Sequence, residues 1–225
     1  MGNCDKKNSN GIEIMISLAY ILLNEEKYIE RSILSASDIA DEIVVLDGGS
    51  EDGTIAICEK LGAKVFLEPW ADDFSLARNI LKKHCKCEWI LMLDADEHLE
   101  GERIDLLKIA MDMAAQDDIV AYQMPRKNHY PTHDSDSPFY TSPFYPDFQT
   151  RLFANIDDIY FSGRVHEGVM QSIQMSDIGG IGRVPVTIHH HMFRGNKELN
   201  ENIKAEYYDS LVAMDSDSEN NDTEI

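Results

Sequence analysis

The sequence predicts an α/β fold with a mostly parallel central sheet that helices cover on both faces. From Ile12 onward, short apolar segments alternate with helix-like segments of about ten residues, which is the pattern of β-α-β units. The apolar segments are typical of strands buried on both faces of a sheet. A chain of 225 residues with 43% hydrophobic residues is long enough for one substantial core, so a second full domain is not expected.

The first half of the chain alternates strands with helices whose start signals are recognisable. Expected strands lie at 12–18, 42–46 and 63–67, and expected helices at 25–37, 52–61 and 74–84. Asn24 is a good N-cap for the first of these helices, and glutamates follow it in the first turn. Gly48 and Gly49 permit a tight turn before the second helix, which Ser50 or Asp52 can cap.

The second half is less regular. A fourth strand begins at Trp89, a helix is expected at 104–115 and a strand at 119–124. The segment 125–146 is rich in Pro, His, Ser, Asp and Tyr and too long for an ordinary connection, which favours a functional lid or binding loop. Order is expected to resume at 148–153, and a last helix at 198–214. The expected organisation is a disordered N-terminus at 1–10, one domain at 11–211 and an acidic disordered tail at 212–225.

The charge balance excludes several classes of partner. The chain has 41 acidic and 20 basic residues and a formal net charge of −21, so nucleic acid and anionic membrane surfaces would repel it. A phosphorylated ligand would need a cation or a local cluster of arginines to overcome this background.

Cysteine usage and hydropathy predict a cytoplasmic protein. Cys4, Cys58, Cys85 and Cys87 form neither a CxxC pair nor a regular framework, so free thiols in a reducing compartment are expected. The sequence shows no signal peptide and no apolar stretch of the length that an integral membrane segment needs.

The strongest chemical signal is a pair of carboxylates after the strand that begins at Trp89. Residues i and i+2 of a strand project from the same face, so Asp94 and Asp96 emerge side by side at its carboxyl end, where open α/β sheets bind ligands. Two such hard oxygen ligands can hold a divalent cation. Acidic residues also follow strands simply because loops are solvated, and Asp-x-Asp alone leaves that alternative open.

Weaker signals lie elsewhere in the chain. Asp47 ends the second strand before its glycine turn, which is either part of a nucleotide site or only a strand-turn-helix connection. Arg78 lies one turn inside the third helix. His189 and His191 would share one face of a strand, where one of them can serve a metal or diphosphate site or simply pack.

Taken in order, these segments resemble family 2 of the inverting GT-A glycosyltransferases, and more narrowly the bacterial branch of lipopolysaccharide-core β-glucosyltransferases and bacteriocin S-glycosyltransferases. The matching segments are 24–26, 47–54, 73–75 with 78–79, 89–97, 151–153, 163–167 and 189–191. The resemblance implies a single GT-A (Rossmann-like) domain that moves a hexose from a UDP-sugar to a hydroxyl or thiol. The acceptor would be a glycan, a lipid-linked saccharide or a peptide.

The resemblance also implies roles for individual residues. Asp47 matches the acidic residue that contacts the uracil or ribose. Asp94 and Asp96 match the metal motif, with Asp96 as the direct ligand of Mn²⁺ or Mg²⁺ and Asp94 also near the nucleotide sugar. Glu167 matches the position where an acidic residue faces the acceptor, and one carboxylate suffices as the base for a single in-line displacement.

The remaining matching positions complete the expected site. Asn24, Glu25, Arg78, Arg151 and His166 are expected to contact the nucleotide sugar. His189 and His191 are the expected histidine ligands of the metal, because GT-A enzymes often supply a histidine from their C-terminal part.

Two other classes of function are weighed against this one. A non-catalytic module that binds sugar nucleotides or glycans could keep the fold, although Asp94, Asp96 and Glu167 argue against it. A sugar nucleotidyltransferase would carry a glycine-rich Arg/Lys loop after the first strand, where this chain has Leu22-Leu23-Asn24-Glu25-Glu26.

Overall fold

A computed structural model describes residues 14–131, 139–164 and 167–191. The strands in these ranges are β1 (Ile16–Leu22), β2 (Glu42–Asp47), β3 (Lys64–Leu67), β4 (Trp89–Met92), β5 (Glu97–Leu99), β6 (Ile119–Pro131), β7 (Phe139–Thr141), β8 (Asp147–Ala154), β9 (Gly180–Arg183) and β10 (Ile188–His191). The α helices are α1 (Ile29–Ala36), α2 (Thr54–Lys60), α3 (Phe74–His84), α4 (Asp105–Asp117) and α5 (Met170–Ser176), with a short 3₁₀ turn at Gly101–Arg103. The expected N-terminal segment 1–10, the last helix at 198–214 and the tail at 212–225 lie outside the described residues.

One ten-stranded sheet organises the described part of the chain, in the order β3-β2-β1-β4-β8-β6-β10-β5, with β7 and β9 each paired to β6. Strands β3, β2, β1 and β4 are mutually parallel, and β6 is parallel to β9 and β10. Antiparallel pairs join β4 to β8, β6 to β8 and to β7, and β10 to β5. The expectation of a mostly parallel α/β sheet is confirmed.

Helices cover both faces of this sheet. Alternate residues of β1 point to opposite sides, so Leu18 and Tyr20 join a core cluster with α1, α2 and α4. Ala19 joins a second cluster with Leu81 of α3 and Ile173 of α5. The strand is therefore apolar along its length because it is buried on both faces, as the sequence predicts.

The structure confirms some element boundaries and corrects others. Helix α3 has the expected bounds, and the Asp73 carboxylate caps it by accepting a hydrogen bond from the Leu76 amide at 2.8 Å. The first helix, expected to begin near Glu25, begins at Ile29. Asn24 is not its N-cap, because Asn24 adopts a left-handed conformation with φ 56° and its Oδ1 accepts a bond from the Glu51 amide instead.

The expectation that 125–146 forms a long loop is wrong over much of its length. Strand β6 continues to Pro131, where its second half lies between β10 and β7. Polar residues such as Arg126 and Asn128 have little intrinsic strand preference, and their pairing with the backbone of β10 overrides it. Residues 132–138 lie outside the described ranges.

None of the helices in the described ranges has the length and apolar character needed to cross a membrane.

Candidate active site

A cavity of about 1080 Å³ opens at the carboxyl ends of β1, β2 and β4. It brings together six of the residues that the sequence singles out, namely Glu25, Arg78, Asp94, Asp96, Arg151 and Glu167. Its lining includes apolar residues such as Leu23, Trp70 and Phe74 as well as the charged groups. The segment joining β3 to α3 supplies Trp70, whose ring packs edge-on against Phe74 with centroids 4.6 Å apart.

Asp94 lies at the cavity between two arginines. The buried Arg78 guanidinium donates to its Oδ1 at 2.9 Å, and Arg151 donates to its Oδ2. Burial by itself would raise the pKa of Asp94, but the charges of Arg151 and Arg78 hold that pKa well below its usual range. Asp94 is therefore ionised at neutral pH, and both of its oxygens already accept hydrogen bonds from the protein.

Glu97, which the sequence did not single out for a role, binds both Arg151 and the backbone amide of Asp94. It is fully buried, its Oε1 accepts from Arg151 at 2.8 Å and from Arg126 at 3.3 Å, and its Oε2 accepts from the Asp94 amide at 3.1 Å. These bonds fix the turn between β4 and β5, and with it the direction of Asp94 and Asp96. Only its spacing of three residues from Asp94 could have indicated this role, and a solvated loop carboxylate can have the same spacing.

The side chains of Asp96 and His190 lie next to each other in the cavity lining. Its Oδ2 is 3.3 Å from Nε2 of His190, and the two side chains are 32% and 16% exposed. Both residues line the cavity. Asp96 is thus the carboxylate of the pair whose oxygens are not both taken by arginines, and its role as a direct metal ligand stays a prediction.

The histidine at this position is not one of the two that the sequence favoured. His189 and His191 do share one face of β10, but that face is turned away from Asp96, and their rings stack with His98 and His129 at centroid distances of 4.6–5.1 Å. The register of β10 against β6 decides this, because it pairs His190 with Asn128 on the cavity side. His190 is therefore the histidine whose ring meets Asp96, and the expected metal roles of His189 and His191 stay predictions.

The stacked histidines are neutral at physiological pH. Burial and then the charge of Arg31 lower the pKa of His98 to about 3 and the pKa of His191 to about 4. Arg31 donates a hydrogen bond to Nε2 of His98 at 2.7 Å, which only an unprotonated nitrogen can accept.

Glu167 contacts the same network through Arg78. Nε of Arg78 donates to Oε1 of Glu167 at 2.6 Å, and the Glu167 side chain is 14% exposed at the cavity wall. Arg78 therefore joins Glu167 to Asp94 through two charge-assisted hydrogen bonds. His166 lies outside the described residues.

Asp47 and Asn24 order the neighbouring loops instead of lining the cavity. Asp47 is fully buried, its Oδ1 accepts from the amides of Gly49 and Ser50 at 2.9 and 2.6 Å, and its Oδ2 accepts from the Ser50 hydroxyl at 2.7 Å. That hydroxyl lies 2.8 Å from the Asn24 amide, which donates to it. These bonds shape the turn whose Gly48 lines the cavity. A direct nucleotide contact by Asp47 or Asn24 stays a prediction.

Asp96 and His190 could supply part of a metal site. Within the described ranges no group of three or more His, Cys, Asp or Glu side chains is arranged to hold a metal ion. The 3.3 Å between Asp96 Oδ2 and His190 Nε2 is close to the about 3.0 Å that separates adjacent ligands in an octahedron with bonds of about 2.1 Å. The two side chains therefore fit a divalent cation that takes its other ligands from a bound anion and from water.

The fold is that of a GT-A domain, with a parallel β-α-β half, an Asp-x-Asp turn and charged groups at the carboxyl edge of the sheet. The chain belongs to glycosyl transferase family 2, whose model matches residues 17–167.

Two curated relatives are similar over about the same length. A TPR repeat-containing protein of Synechococcus elongatus is 37% identical over 158 residues, which are 70% of this chain and 36% of that protein. The SPbeta prophage-derived glycosyltransferase SunS of Bacillus subtilis is 31% identical over 160 residues, 69% of this chain and 35% of that protein. The chain thus spans little more than a third of the length of these relatives.

Solved structures show the same fold at low sequence identity. Staphylococcus aureus TarS in complex with UDP-GlcNAc superposes with a TM-score of 0.56 at 20% identity, covering 81% of this chain and 60% of that one. Glucosyl-3-phosphoglycerate synthase from Mycobacterium tuberculosis, in complex with Mn²⁺, UDP and phosphoglyceric acid, gives a TM-score of 0.53 at 16% identity, covering 87% and 75%.

Proposed function

We propose that this domain transfers a hexose from a UDP-sugar to a hydroxyl or thiol acceptor, with inversion at the anomeric carbon and with Mn²⁺ or Mg²⁺ as the cofactor. The observation that carries the proposal is that Asp96, His190 and Glu167 line one cavity around an Asp94 that two arginines keep ionised. Membership of family 2 supports glycosyl transfer as the reaction. UDP-GlcNAc bound to TarS, and Mn²⁺ with UDP bound to the mycobacterial synthase, support this donor and this cofactor.

The charge of the cavity explains why a cation would be required. The acidic lining residues are Glu25, Glu68, Asp72, Asp73, Asp94, Asp96 and Glu167, and the arginines among the lining residues are Arg78, Arg126 and Arg151. All three arginines already form ion pairs with carboxylates. A diphosphate would enter a negatively charged site, so it needs positive charge that the arginines do not provide.

Asp96 and His190 would hold this cation. When bound, it supplies charge neutralisation to the diphosphate leaving group without any proton transfer. Asp94, tied to Arg78 and Arg151, would act beside it by fixing the turn and by keeping the two guanidinium groups at the cavity wall. The two aspartates would thus have different roles, because Asp94 binds two arginines and Asp96 lies beside His190.

Glu167 is the proposed general base. Arg78 holds Oε1, and no partner of Oε2 is present among the described residues, so Oε2 can accept the proton of the acceptor as it attacks the anomeric carbon. A hydroxyl or thiol attacking from the face opposite the leaving diphosphate gives inversion in one displacement. The Arg78 contact fixes the direction of the carboxylate before the acceptor arrives.

An apolar part of the cavity lining is suited to the nucleoside. Leu23, Gly48 and Trp70 lie together, with the Cδ1 of Leu23 and the Cβ of Trp70 each 3.7 Å from where a Cβ on Gly48 would stand. A planar base can pack against such a surface while its diphosphate reaches Asp96. The acceptor is a glycan, a lipid-linked saccharide or a peptide that approaches from the side of Glu167.

Calorimetric titration with UDP tests the donor and the metal together. UDP should bind in the presence of Mn²⁺ and lose most of its affinity in excess EDTA. Asp96→Asn should lose the gain from Mn²⁺ with little change in melting temperature, because a partly exposed carboxylate contributes little to the core. Asp38→Asn, an exposed residue outside the cavity, is the matched control. Undiminished UDP binding in EDTA would contradict the metal requirement.

Turnover is tested separately with radiolabelled UDP-glucose and UDP-GlcNAc. A catalytic domain should hydrolyse at least one of them slowly in the presence of Mn²⁺ even without an acceptor. A non-catalytic binding module would bind the donor and release no free sugar.

A further inference from the structure

The side-chain amide of Asn128 lies between the ring of His190 and the carboxylate of Asp147. Asn128 is on β6, directly paired with His190 of the parallel strand β10. Its Nδ2 donates to Oδ2 of Asp147 at 3.2 Å, and its Oδ1 is 2.8 Å from Nδ1 of His190. An unbroken series of side-chain hydrogen bonds therefore joins Asp147 to Asn128 and Asn128 to His190.

Asp147 determines which way the Asn128 amide points. Burial by itself would raise the pKa of Asp147, but hydrogen bonds from Arg126 outweigh it and lower that pKa. Arg126 donates from Nε at 3.0 Å and from Nη2 at 2.7 Å, and Gln149 donates to the other oxygen at 2.8 Å. An ionised carboxylate can only accept hydrogen bonds, so the NH₂ group of Asn128 must face Asp147 and its carbonyl oxygen must face His190.

This orientation excludes one of the two neutral tautomers of the imidazole. The carbonyl oxygen of Asn128 can only accept, so Nδ1 of His190 must carry a hydrogen. In the neutral ring the lone pair then lies on Nε2, the atom that is 3.3 Å from Asp96 Oδ2. With the other tautomer, Nε2 would carry a hydrogen and could not bind a metal ion.

We propose that Asn128 is a positioning residue that fixes His190 as an Nε2 ligand of the divalent cation. This inference rests on the proposed metal role of Asp96 and His190. Histidine ligands of metals are generally held in this way by a hydrogen bond from their other ring nitrogen, which sets both the tautomer and the plane of the ring. Asp147 and Arg126 act through Asn128, because they set the direction of its amide.

The tautomer can be measured without any metal. In ¹⁵N-histidine-labelled protein at pH 8, long-range ¹H-¹⁵N spectra should show His190 with its hydrogen on Nδ1, with the signals assigned from a His190→Ala variant. Asn128→Leu should lose this preference, and Gln123→Leu should keep it. Gln123 is the matched control because it is also an amide on β6 that accepts a hydrogen bond, from Arg183 at 3.2 Å, and it does not line the cavity.

Mn²⁺ binding gives the second readout. Free Mn²⁺ measured by electron paramagnetic resonance in the presence of UDP should show about 10- to 100-fold weaker binding in Asn128→Leu, with the control unchanged. Equal Mn²⁺ affinity in wild type and Asn128→Leu would overturn the inference.

Two outcomes separate this inference from the proposed function. Mn²⁺ binding in the wild type together with a neutral His190 ring that carries its hydrogen on Nε2 overturns the inference and leaves the metal requirement standing. A wild-type protein with the Nδ1 hydrogen that binds no Mn²⁺ in the presence of UDP contradicts the metal role itself, and the inference then fails with it.

Discussion

Replacing Arg78 by methionine tests the central ion network directly. Methionine has a similar length but no charge, so Glu167 loses a donor at 2.6 Å and Asp94 keeps only Arg151. The Arg78 side chain is 5% exposed, and its partners Glu167 and Asp94 are 14% and 34% exposed. Breaking a fully buried ion pair costs about 3–5 kcal/mol, and the partial exposure of Asp94 places the expected loss at the lower end, about 3 kcal/mol.

This loss should be visible in thermal unfolding. In a domain of this size 1 kcal/mol corresponds to about 2–4 °C, so the melting temperature of Arg78→Met should fall by about 6–12 °C at pH 7. Arg183→Met is the matched control. Arg183 is exposed and stacks over the Phe148 ring at 4.2 Å, so its loss should cost at most about 1 kcal/mol.

The pH dependence identifies the cause of the loss. The pKa of Asp94 is depressed in the folded protein, so its ion pairs stabilise the fold fully above the ordinary aspartate pKa of about 4 and lose their effect as the pH falls below it. The gap in melting temperature between wild type and Arg78→Met should therefore be largest near pH 7 and narrow below about pH 4. A loss of unfolding free energy under about 1 kcal/mol at pH 7 would refute this account of the network. So would a gap in melting temperature that stays constant down to pH 3.

Three further substitutions or truncations have defined outcomes. Glu167→Gln should lower kcat by about 10²–10⁴-fold with unchanged UDP affinity, since an amide cannot take the acceptor proton, and a near-wild-type kcat at saturating substrates would move the search for the base to Asp147. Gly182→Ala would place a Cβ 2.7 Å from Cε1 of Tyr122, so calorimetry should show a loss of about 1–3 kcal/mol, and an unchanged melting temperature would mean that the ring moves aside freely. Removal of the acidic segment from Asp215 onward should leave melting temperature and activity unchanged, and a large drop in either would show that the segment docks on the domain.

Capping residues in the sequence predicted where a helix begins only when their side chains bind the helix itself. Helix α3 has its expected bounds because Asp73 caps it and an apolar face follows immediately. Helix α1 has a comparable local signal in Asn24, yet a distant loop takes up that side chain through the Glu51 amide and moves the helix start to Ile29. A good capping residue predicts a helix start only when no tertiary partner competes for its oxygen.

In β6, by contrast, a segment that the sequence predicted to be a loop is a strand. Its second half is polar and resembles a loop in composition, and it becomes a strand because β10 and β7 pair with it on both sides. Backbone hydrogen bonds to neighbouring strands leave no mark on the composition of a single segment. Asn128, which we infer to position His190, was hidden for this reason.

The sequence by itself determined the α/β class and the edge of the sheet at which the site lies, because burial on two faces makes a strand apolar and Asp94 and Asp96 follow such a strand at its carboxyl end. Only the tertiary structure decided which groups are free to act. Arg78 of α3 and Arg151 of β8 occupy both oxygens of Asp94, which leaves Asp96 open. The register between β6 and β10 turned His190 to the cavity, and a shift of one residue would have presented the other two histidines instead.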